Sequence, residues 1–176
     1  LLIIVLLCVL FLSNIINAEN IKEGWIGVDQ SSDRITYQGF WEKYPSDSSY
    51  NGLELGTGNS YNTYVKFNFS GTAVKWIGST GVMRGMADVF IDGKKVGSNI
   101  DCYSKDTKYQ VELFSKKDLK PESHTLKIVP TGNKNENAIE TFIMIDSLKF
   151  IPTLKQAILM GKDIINKAIV GKPDMG

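Results

Sequence analysis

The sequence has few of the residues from which most enzyme active sites and metal centres are built. It contains one histidine and two cysteines in 176 residues. Cys8 lies in the apolar N-terminal run, so Cys102 is left without an internal disulfide partner and the common zinc and iron ligand sets are excluded. A Gly-x-Ser-x-Gly motif and a glycine-rich loop followed by Lys-Ser/Thr are also absent. We therefore expect no catalytic site within these residues.

An excess of charge of either sign is also lacking. Twenty basic residues face nineteen acidic ones, for a formal net charge of +1. Proteins that bind nucleic acid or anionic membranes usually present a strongly basic face. We expect no nucleic-acid partner, and the hydrophobic content of 43% is typical of a globular protein.

One long hydrophobic run is present, at the N-terminus. It extends from Leu1 to Leu12 and is followed by polar residues and by Ala18 before the charged Glu19. This run is shorter than the roughly 20 residues that a membrane-spanning helix needs. We predict a secretory signal-peptide helix over residues 1–18, export to the exterior or the cell surface, and no membrane attachment after cleavage. Residues 19–34 are then an N-terminal lead-in.

The middle of the chain has the pattern of β-strands. Apolar and polar residues alternate in three runs, at 64–69, 74–76 and 87–91. The pair Asp92-Gly93 follows directly and is a strong hairpin signal, because the tight turn needs positive φ. Further strands are predicted at 36–40, 53–57, 109–113, 125–129 and 141–150, with a surface loop at 131–140. Many short strands without helices favour an all-β antiparallel sandwich over residues 35–151.

The C-terminal segment has a helical period instead. Apolar residues from Leu154 to Ala168 recur at spacings of three and four, which indicates an amphipathic helix. Pro152 precedes this segment, and Gly171 with Pro173 ends it. We expect residues 152–176 either to dock on the sandwich or to begin a truncated downstream domain.

Aromatic residues outside the core alternation are the main candidates for ligand binding. Exposed aromatic rings stack on the apolar faces of sugars, and neighbouring polar groups bind hydroxyls. Arg84, in a turn between two strands, has the geometry to bind a hydroxyl pair or a uronate carboxylate. The predicted ligand-binding residues are Trp41, Tyr44, Tyr50 and Arg84, chosen from a group that also holds Tyr37, Tyr61 and Tyr64. The competing interpretation of Trp41 is packing beneath the sandwich. The competing interpretation of Arg84 is a side chain surrounded by solvent.

Two titratable residues have structural interpretations. His124 begins a predicted strand, and we expect a partly buried structural histidine at the sheet rim. Asp146 interrupts an apolar run, so it requires a partner. Backbone hydrogen bonds are one alternative and a structural calcium ion is the other. Paired carboxylates of the glycosidase type cannot be located from spacing alone.

The strand motifs resemble a known family. The run Phe67 to Gly78, the hairpin Gly85 to Lys94, the strand Ser123 to Ile128 and the closing Ile145 to Leu148 are similar to the central hairpins of galactose-binding-like jelly-roll modules. These modules include carbohydrate-binding families six and thirty-five. The resemblance covers residues 35–151 and implies a jelly-roll β-sandwich, a carbohydrate ligand and, often, calcium. The C-terminal segment resembles the start of a small helical linker domain found beside such modules.

Three hypotheses follow for function. The first is a non-catalytic carbohydrate-binding module, monomeric within a larger secreted or cell-surface chain. The second is the N-terminal part of a polysaccharide-degrading enzyme whose catalytic domain lies downstream. The third is an adhesion or structural module with a protein partner.

Overall fold

The computed structural model describes residues 24–58 and 60–161. The predicted signal peptide and the later part of the predicted C-terminal helix lie outside these residues. In the part of the chain that is described, no helix is both long and apolar enough to cross a bilayer.

The described residues form eleven strands, and every pairing between named strands is antiparallel. The predicted all-β class is therefore confirmed. The strands are β1 (Ile26–Asp29), β2 (Ile35–Gln38), β3 (Glu42–Pro45), β4 (Leu53–Thr57), β5 (Tyr64–Thr80), β6 (Gly85–Ile91), β7 (Lys94–Asp101), β8 (Lys108–Lys116), β9 (Glu122–Lys134), β10 (Ile143–Ile145) and β11 (Ser147–Pro152). A 3-10 turn over Tyr50–Gly52 precedes β4, and β1 lies in the segment predicted as a lead-in.

Strand β5 links the two layers of the sandwich. Its first half pairs with β2 and β9, while its second half pairs with β11 and β8. Strand β9 also pairs with β6, which pairs with β7, and β11 also pairs with β1. A strand that changes partners midway belongs to both layers, so the core lies between them.

The predicted break between strands at 64–69 and 74–76 is wrong, because β5 is continuous. Gly71 stands where the partners change, and a Cβ there would collide with the main-chain carbonyl of Ile151. The absence of a side chain lets the two backbones approach closely at this point. The glycine that the sequence pattern marked as a turn is instead a crossing point within one strand.

The predicted single strand at 141–150 is also corrected, to β10 and β11. Strand β10 pairs with β4, which pairs with β3, in a small separate sheet. Between β10 and β11, the Asp146 amide donates to the carbonyl of Ile77. The Asp146 Oδ1 atom accepts a 2.7 Å hydrogen bond from the amide of Tyr50, 96 residues away in sequence. This side chain therefore ties the turn before β4 to the junction of the two strands.

The hairpin at Asp92-Gly93 is confirmed. These residues join β6 to β7 with φ angles of 52° and 77°. The loop predicted at 131–140 begins later than expected, because β9 continues to Lys134 and pairs there with Gly85 of β6.

The core is apolar, with Trp76 fully buried as predicted from its parity with Val74. The Trp76 indole Nε1 donates to the carbonyl of Met144 at 2.9 Å, which links β5 to the small sheet.

Residues 154–161 are helical and continue from the last strand. Met160 packs against the core, while Leu154 and Ile158 of the predicted apolar face are exposed. The rest of the predicted helix lies outside the described residues.

Candidate functional site

A cleft of about 520 Å³ opens at one edge of the sandwich, where loops from distant parts of the sequence meet. We call it the edge cleft. Its lining comes from the segment before β3, the end of β4 with the loop after it, and the loop before β10: Phe40, Glu42, Gly56, Thr57, Gly58, Ser60, Glu140, Thr141 and Phe142. Its volume is within the range of small-molecule sites.

Main-chain hydrogen bonds hold the loop before β10 against the turn between β5 and β6. The amide of Ile139 donates to the carbonyl of Val82 at 2.7 Å, and that of Phe142 donates to Met83 at 3.1 Å. In return, the Gly85 amide donates to the Phe142 carbonyl at 2.8 Å. The wall that carries Phe142 is therefore fixed by the backbone, which favours a preformed site.

Two glycines give the cleft its depth. A Cβ on Gly56 would lie 2.5 Å from Sδ of Met144 and 2.9 Å from Cε2 of Tyr44, and one on Gly58 would lie 3.1 Å from the Phe142 ring. Either side chain would have to displace an aromatic ring. The Gly56-Thr57-Gly58 sequence therefore lets aromatic rings pack directly on the backbone of β4 and its loop.

Exposed aromatic rings stand at this end of the molecule. Phe40, which lines the cleft, is 63% exposed, and Tyr61 in the loop before β5 is 87% exposed. Single exposed apolar side chains are ordinary, but several close together at a cleft often mark a binding surface. These rings have the flat apolar faces on which sugar rings stack.

The charged groups lining the cleft are both acidic, Glu42 and Glu140. The Tyr44 hydroxyl donates a 2.7 Å hydrogen bond to Glu42 Oε2, and the Tyr44 ring meets Phe142 edge-on at 6.1 Å. Burial and the bond to Glu42 raise the pKa of Tyr44 to about 12. The tyrosine therefore stays protonated and holds the Glu42 carboxylate in place.

Arg84 lies behind the cleft and does not line it. Its guanidinium Nη2 donates to Ser79 Oγ at 3.1 Å, and Ser79 Oγ donates to Glu54 Oε2 at 2.8 Å. Burial raises the pKa of Glu54, which has one oxygen without a partner among the described residues. Arg84 thus contributes to a partly buried polar chain, and its predicted contact with ligand stays a prediction.

The four predicted ligand-binding residues are not brought together. Trp41 packs against the core, with its ring 5.1 Å from Tyr37 and its Nε1 donating to the carbonyl of Gln38. Tyr50 belongs to the 3-10 turn above Asp146. Of the four, Tyr44 contacts the cleft residues Glu42 and Phe142, and Arg84 forms an isolated β-bridge with Phe142.

Sequence reasoning did not identify Phe40, Glu42, Glu140 or Phe142. Phe40 follows Gly39, which has a φ of 84°, and such a glycine marks a turn whose next side chain can face solvent. No local signal marks Phe142 or Glu140, because their position depends on pairing with the distant turn between β5 and β6.

Four buried side-chain oxygens, one of them on Asp146, are of the chemical type that calcium binds. Asp146 Oδ2, Ser49 Oγ, Ser147 Oγ and Gln30 Oε1 are buried, and none has a hydrogen-bond partner among the described residues. Burial, followed by the charge of Asp29, raises the pKa of Asp146. The described residues hold no group of three or more Asp, Glu, His or Cys side chains suited to a metal. A calcium ion here would therefore depend on hydroxyl and amide oxygens beside the Asp146 carboxylate.

Comparison with known proteins gives two curated relatives, and no family model matches the chain. The chain is 33% identical over 129 residues to "A type blood alpha-D-galactosamine galactosaminidase" of Flavonifractor plautii, covering 73% of this chain and 11% of that protein. It is 31% identical over 105 residues to "A type blood N-acetyl-alpha-D-galactosamine deacetylase" of the same organism, covering 60% and 13%. The chain thus spans about a tenth of the length of the curated relatives it matches.

Among solved structures, xanthan lyase of Paenibacillus contains a similar fold. The TM-score is 0.55 at 23% identity, and the match covers 72% of this chain and 13% of that one. This match bears out the predicted fold at the level of an antiparallel β-sandwich.

Proposed function

We propose that the chain is a non-catalytic carbohydrate-binding module and that the edge cleft holds the sugar. The observation that carries this proposal is the exposed Phe40 ring beside a glycine-floored cleft that also contains carboxylates and hydroxyls. An aromatic face with a few convergent polar groups is the usual chemistry of a sugar site.

The module would act as part of a larger protein outside the cell. Both curated relatives are several times longer than this chain, and their names describe enzymes that act on A type blood sugars. This observation supports the second hypothesis equally, in which the fragment belongs to an enzyme with its catalytic domain elsewhere. The two are compatible, because an attached binding module raises the local concentration of an enzyme on its substrate.

The acidic charge of the cleft limits which kinds of sugar it can bind. Glu42 and Glu140 are acidic, and none of the nine lining residues is basic. A uronate would be repelled by these carboxylates, whereas neutral sugars and amino sugars would not be. The cleft therefore favours neutral sugars and amino sugars, and the relatives' names point to galactosamine among these.

Binding of the full chain to immobilised A-type trisaccharide, followed by competition with N-acetylgalactosamine and galacturonate, tests this proposal. Phe40→Ala should weaken binding about tenfold, because the variant loses a stacked ring. A tenfold change in affinity corresponds to about 1.4 kcal/mol. Tyr109→Ala is the matched control, since Tyr109 is an exposed aromatic residue on β8, away from the cleft. N-acetylgalactosamine should compete and galacturonate should not.

Absence of binding to any member of a broad glycan array would reject the carbohydrate proposal and favour the adhesion module. Equal weakening by Phe40→Ala and Tyr109→Ala would move the site away from the edge cleft.

We also propose a structural calcium ion beside Asp146. The unpartnered buried oxygens described above support it, and the ion would stabilise the turn before β4 rather than contact the sugar.

A further inference from the structure

A second pocket, of about 370 Å³, lies at the opposite end of β2 and β9 from the edge cleft. Arg34 precedes β2, whereas Phe40 of the cleft follows it. We call it the Arg34 pocket. Its lining is polar apart from one phenylalanine: Arg34, Asn68, Phe69, Ser70, Ser123, His124, Thr125 and Gln156.

The Arg34 guanidinium has rings beneath it and no hydrogen-bond acceptor. Its central carbon lies 4.6 Å from the centroid of Phe150 and 5.3 Å from that of Phe67. Within residues 24–58 and 60–161, no side chain or carbonyl is hydrogen-bonded to the guanidinium, and Asp33 is not ion-paired with it. A partly buried arginine without acceptors can still accommodate a ligand oxyanion through its planar N–H groups.

His124 in the wall is paired with the Asp92 carboxylate, so the two together add no net charge. Its Nδ1 lies 2.7 Å from Asp92 Oδ2, and its Nε2 lies 2.8 Å from the carbonyl of Lys120. A carbonyl and a carboxylate both accept hydrogen bonds, so this geometry favours the imidazolium form, in which both ring nitrogens donate. Burial lowers the pKa of His124, but the bonds to Asp92 and Lys120 outweigh it and leave the pKa raised.

The remaining lining groups are oriented to donate. Thr125 Oγ1 donates to Asn68 Oδ1 at 2.8 Å, so the acceptor of that amide is occupied and its NH₂ group is left. Ser70 Oγ and Ser123 Oγ share a 2.9 Å hydrogen bond, and the hydroxyl that accepts keeps its own proton to donate. None of the eight lining residues is acidic, and the neighbouring Asp92 carboxylate is already bound to His124 and to the amide of Thr125.

We propose that the Arg34 pocket is a second ligand site, which binds the carboxylate or sulfate group of an acidic saccharide. The oxyanion pairs with the Arg34 guanidinium over the Phe150 ring, and the side chains of Asn68 and the two serines donate to it or to adjacent sugar hydroxyls. This site is independent of the edge cleft and has the opposite charge preference.

Titration of the ¹⁵N-labelled full chain with galacturonate, inorganic sulfate or galactose tests the proposal. Galacturonate and sulfate should shift the amide resonances of Asn68 and Thr125, and galactose should not. Arg34→Met, which keeps an apolar chain over the rings, should weaken galacturonate binding at least tenfold. Phe40→Ala should leave it unchanged, so failure of this site is distinguishable from failure of the edge cleft.

Asn68→Asp provides a second variant that is expected to fold. Asn68 is exposed and keeps its acceptor oxygen for Thr125, but the new carboxylate would pair with Arg34 and repel the anion. Galacturonate binding should again fall at least tenfold. Unchanged anion binding in both variants, or equal shifts with galactose, would overturn the proposal. Sulfate binding without galacturonate binding would overturn the assignment to a sugar carboxylate.

Discussion

His124 and Asp92 show how much a single pair of residues depends on distant strands. The sequence predicts a hairpin turn at Asp92, which is confirmed, and a partly buried structural histidine at the sheet rim, where His124 is buried. It does not predict that the two residues pair across 32 positions. That contact forms because β6 and β9 are neighbours, which brings the hairpin of one to the start of the other.

Stability should depend on pH through this pair. The pKa of His124 is raised in the folded state. Its contribution to the free energy of unfolding is therefore complete below about pH 6.5 and is lost as the pH rises through the folded-state pKa. Because the Asp92 side chain is half exposed, solvent screening limits the effect to about 1 kcal/mol. Urea unfolding of the wild type and His124→Gln at pH 5.5 and 9 should show a stability difference that shrinks at the higher pH.

At acidic pH, the dependence of stability on pH comes from Asp92. Burial raises its pKa, but hydrogen bonds from His124 and Thr125 outweigh burial and lower it. The Asp92 contribution to stability is therefore present above about pH 4 and is lost as the pH falls through its folded-state pKa.

A stability difference between wild type and His124→Gln that stays constant from pH 5.5 to 9 would contradict the imidazolium assignment.

The candidate site illustrates the limit of sequence reasoning at single residues. Aromatic content in the first third of the chain predicted a binding region in the strands and loops around β2 and β3, and part of the edge cleft is lined from there. The direction of each side chain was not predictable, because Trp41 turns inward against Tyr37 while Phe40 beside it faces solvent. Adjacent residues point to opposite sides, and long-range packing decides which side is the core.

Among the elements, β5 departs most from its sequence pattern. Its first half alternates as predicted, its second half is buried at almost every position, and the glycine between them is a crossing point rather than a turn. The local sequence Ser70-Gly71 is compatible with both a turn and a continuous strand. The choice is made by β11, whose backbone comes against Gly71 from elsewhere in the chain.

Gly71→Ala should therefore destabilise the fold by about 1–3 kcal/mol, since the new methyl group would meet the main-chain carbonyl of Ile151, which cannot move aside as a side chain can. Chemical denaturation measures the loss. Gly27→Ala in β1 is the control, because its methyl group would be 3.6 Å from the Tyr50 hydroxyl, an ordinary contact. That variant should stay within about 0.5 kcal/mol of wild type. Similar stability of the two variants would argue against a close crossing at Gly71.

The junction of β10 and β11 shows a second kind of departure. An apolar run with one acid inside it predicts a single strand, yet Asp146 divides it because its carboxylate reaches the amide of Tyr50. Both interpretations offered by the sequence, backbone bonding and calcium, remain compatible with this geometry, since one carboxylate oxygen is used and the other has no partner among the described residues.

At the scale of the whole molecule, calcium should shift the melting temperature. If the ion binds at Asp146, calcium at 100 times its Kd should add about 2.7 kcal/mol of stability, and EDTA should remove it. Thermal unfolding with calcium, magnesium or EDTA measures this. Asp146→Asn should abolish the calcium response, and Ser49→Ala, which removes one buried hydroxyl, should reduce it. Identical melting in calcium and EDTA would show that backbone hydrogen bonds alone satisfy Asp146.

The two pockets lie at opposite ends of β2 and differ in the charge of their lining residues. The edge cleft is lined by two carboxylates and no basic residue, while the Arg34 pocket is lined by donors and no acidic residue. A near-neutral composition hides this separation, because a net charge of +1 says nothing about where each sign is placed.

The sequence by itself determined the alternation of β5 and β6, the hairpin at Asp92-Gly93, the burial of Trp76 and hence the all-β class. These features follow from backbone preference and from the two-residue period of a strand, which act over a few neighbours. Tertiary structure alone decided that Phe40 and Phe142 share a cleft, that Arg34 lies over Phe150, and that Asp146 meets Tyr50. Each of these contacts joins segments far apart in sequence, and strand pairing, not local pattern, sets which loops meet.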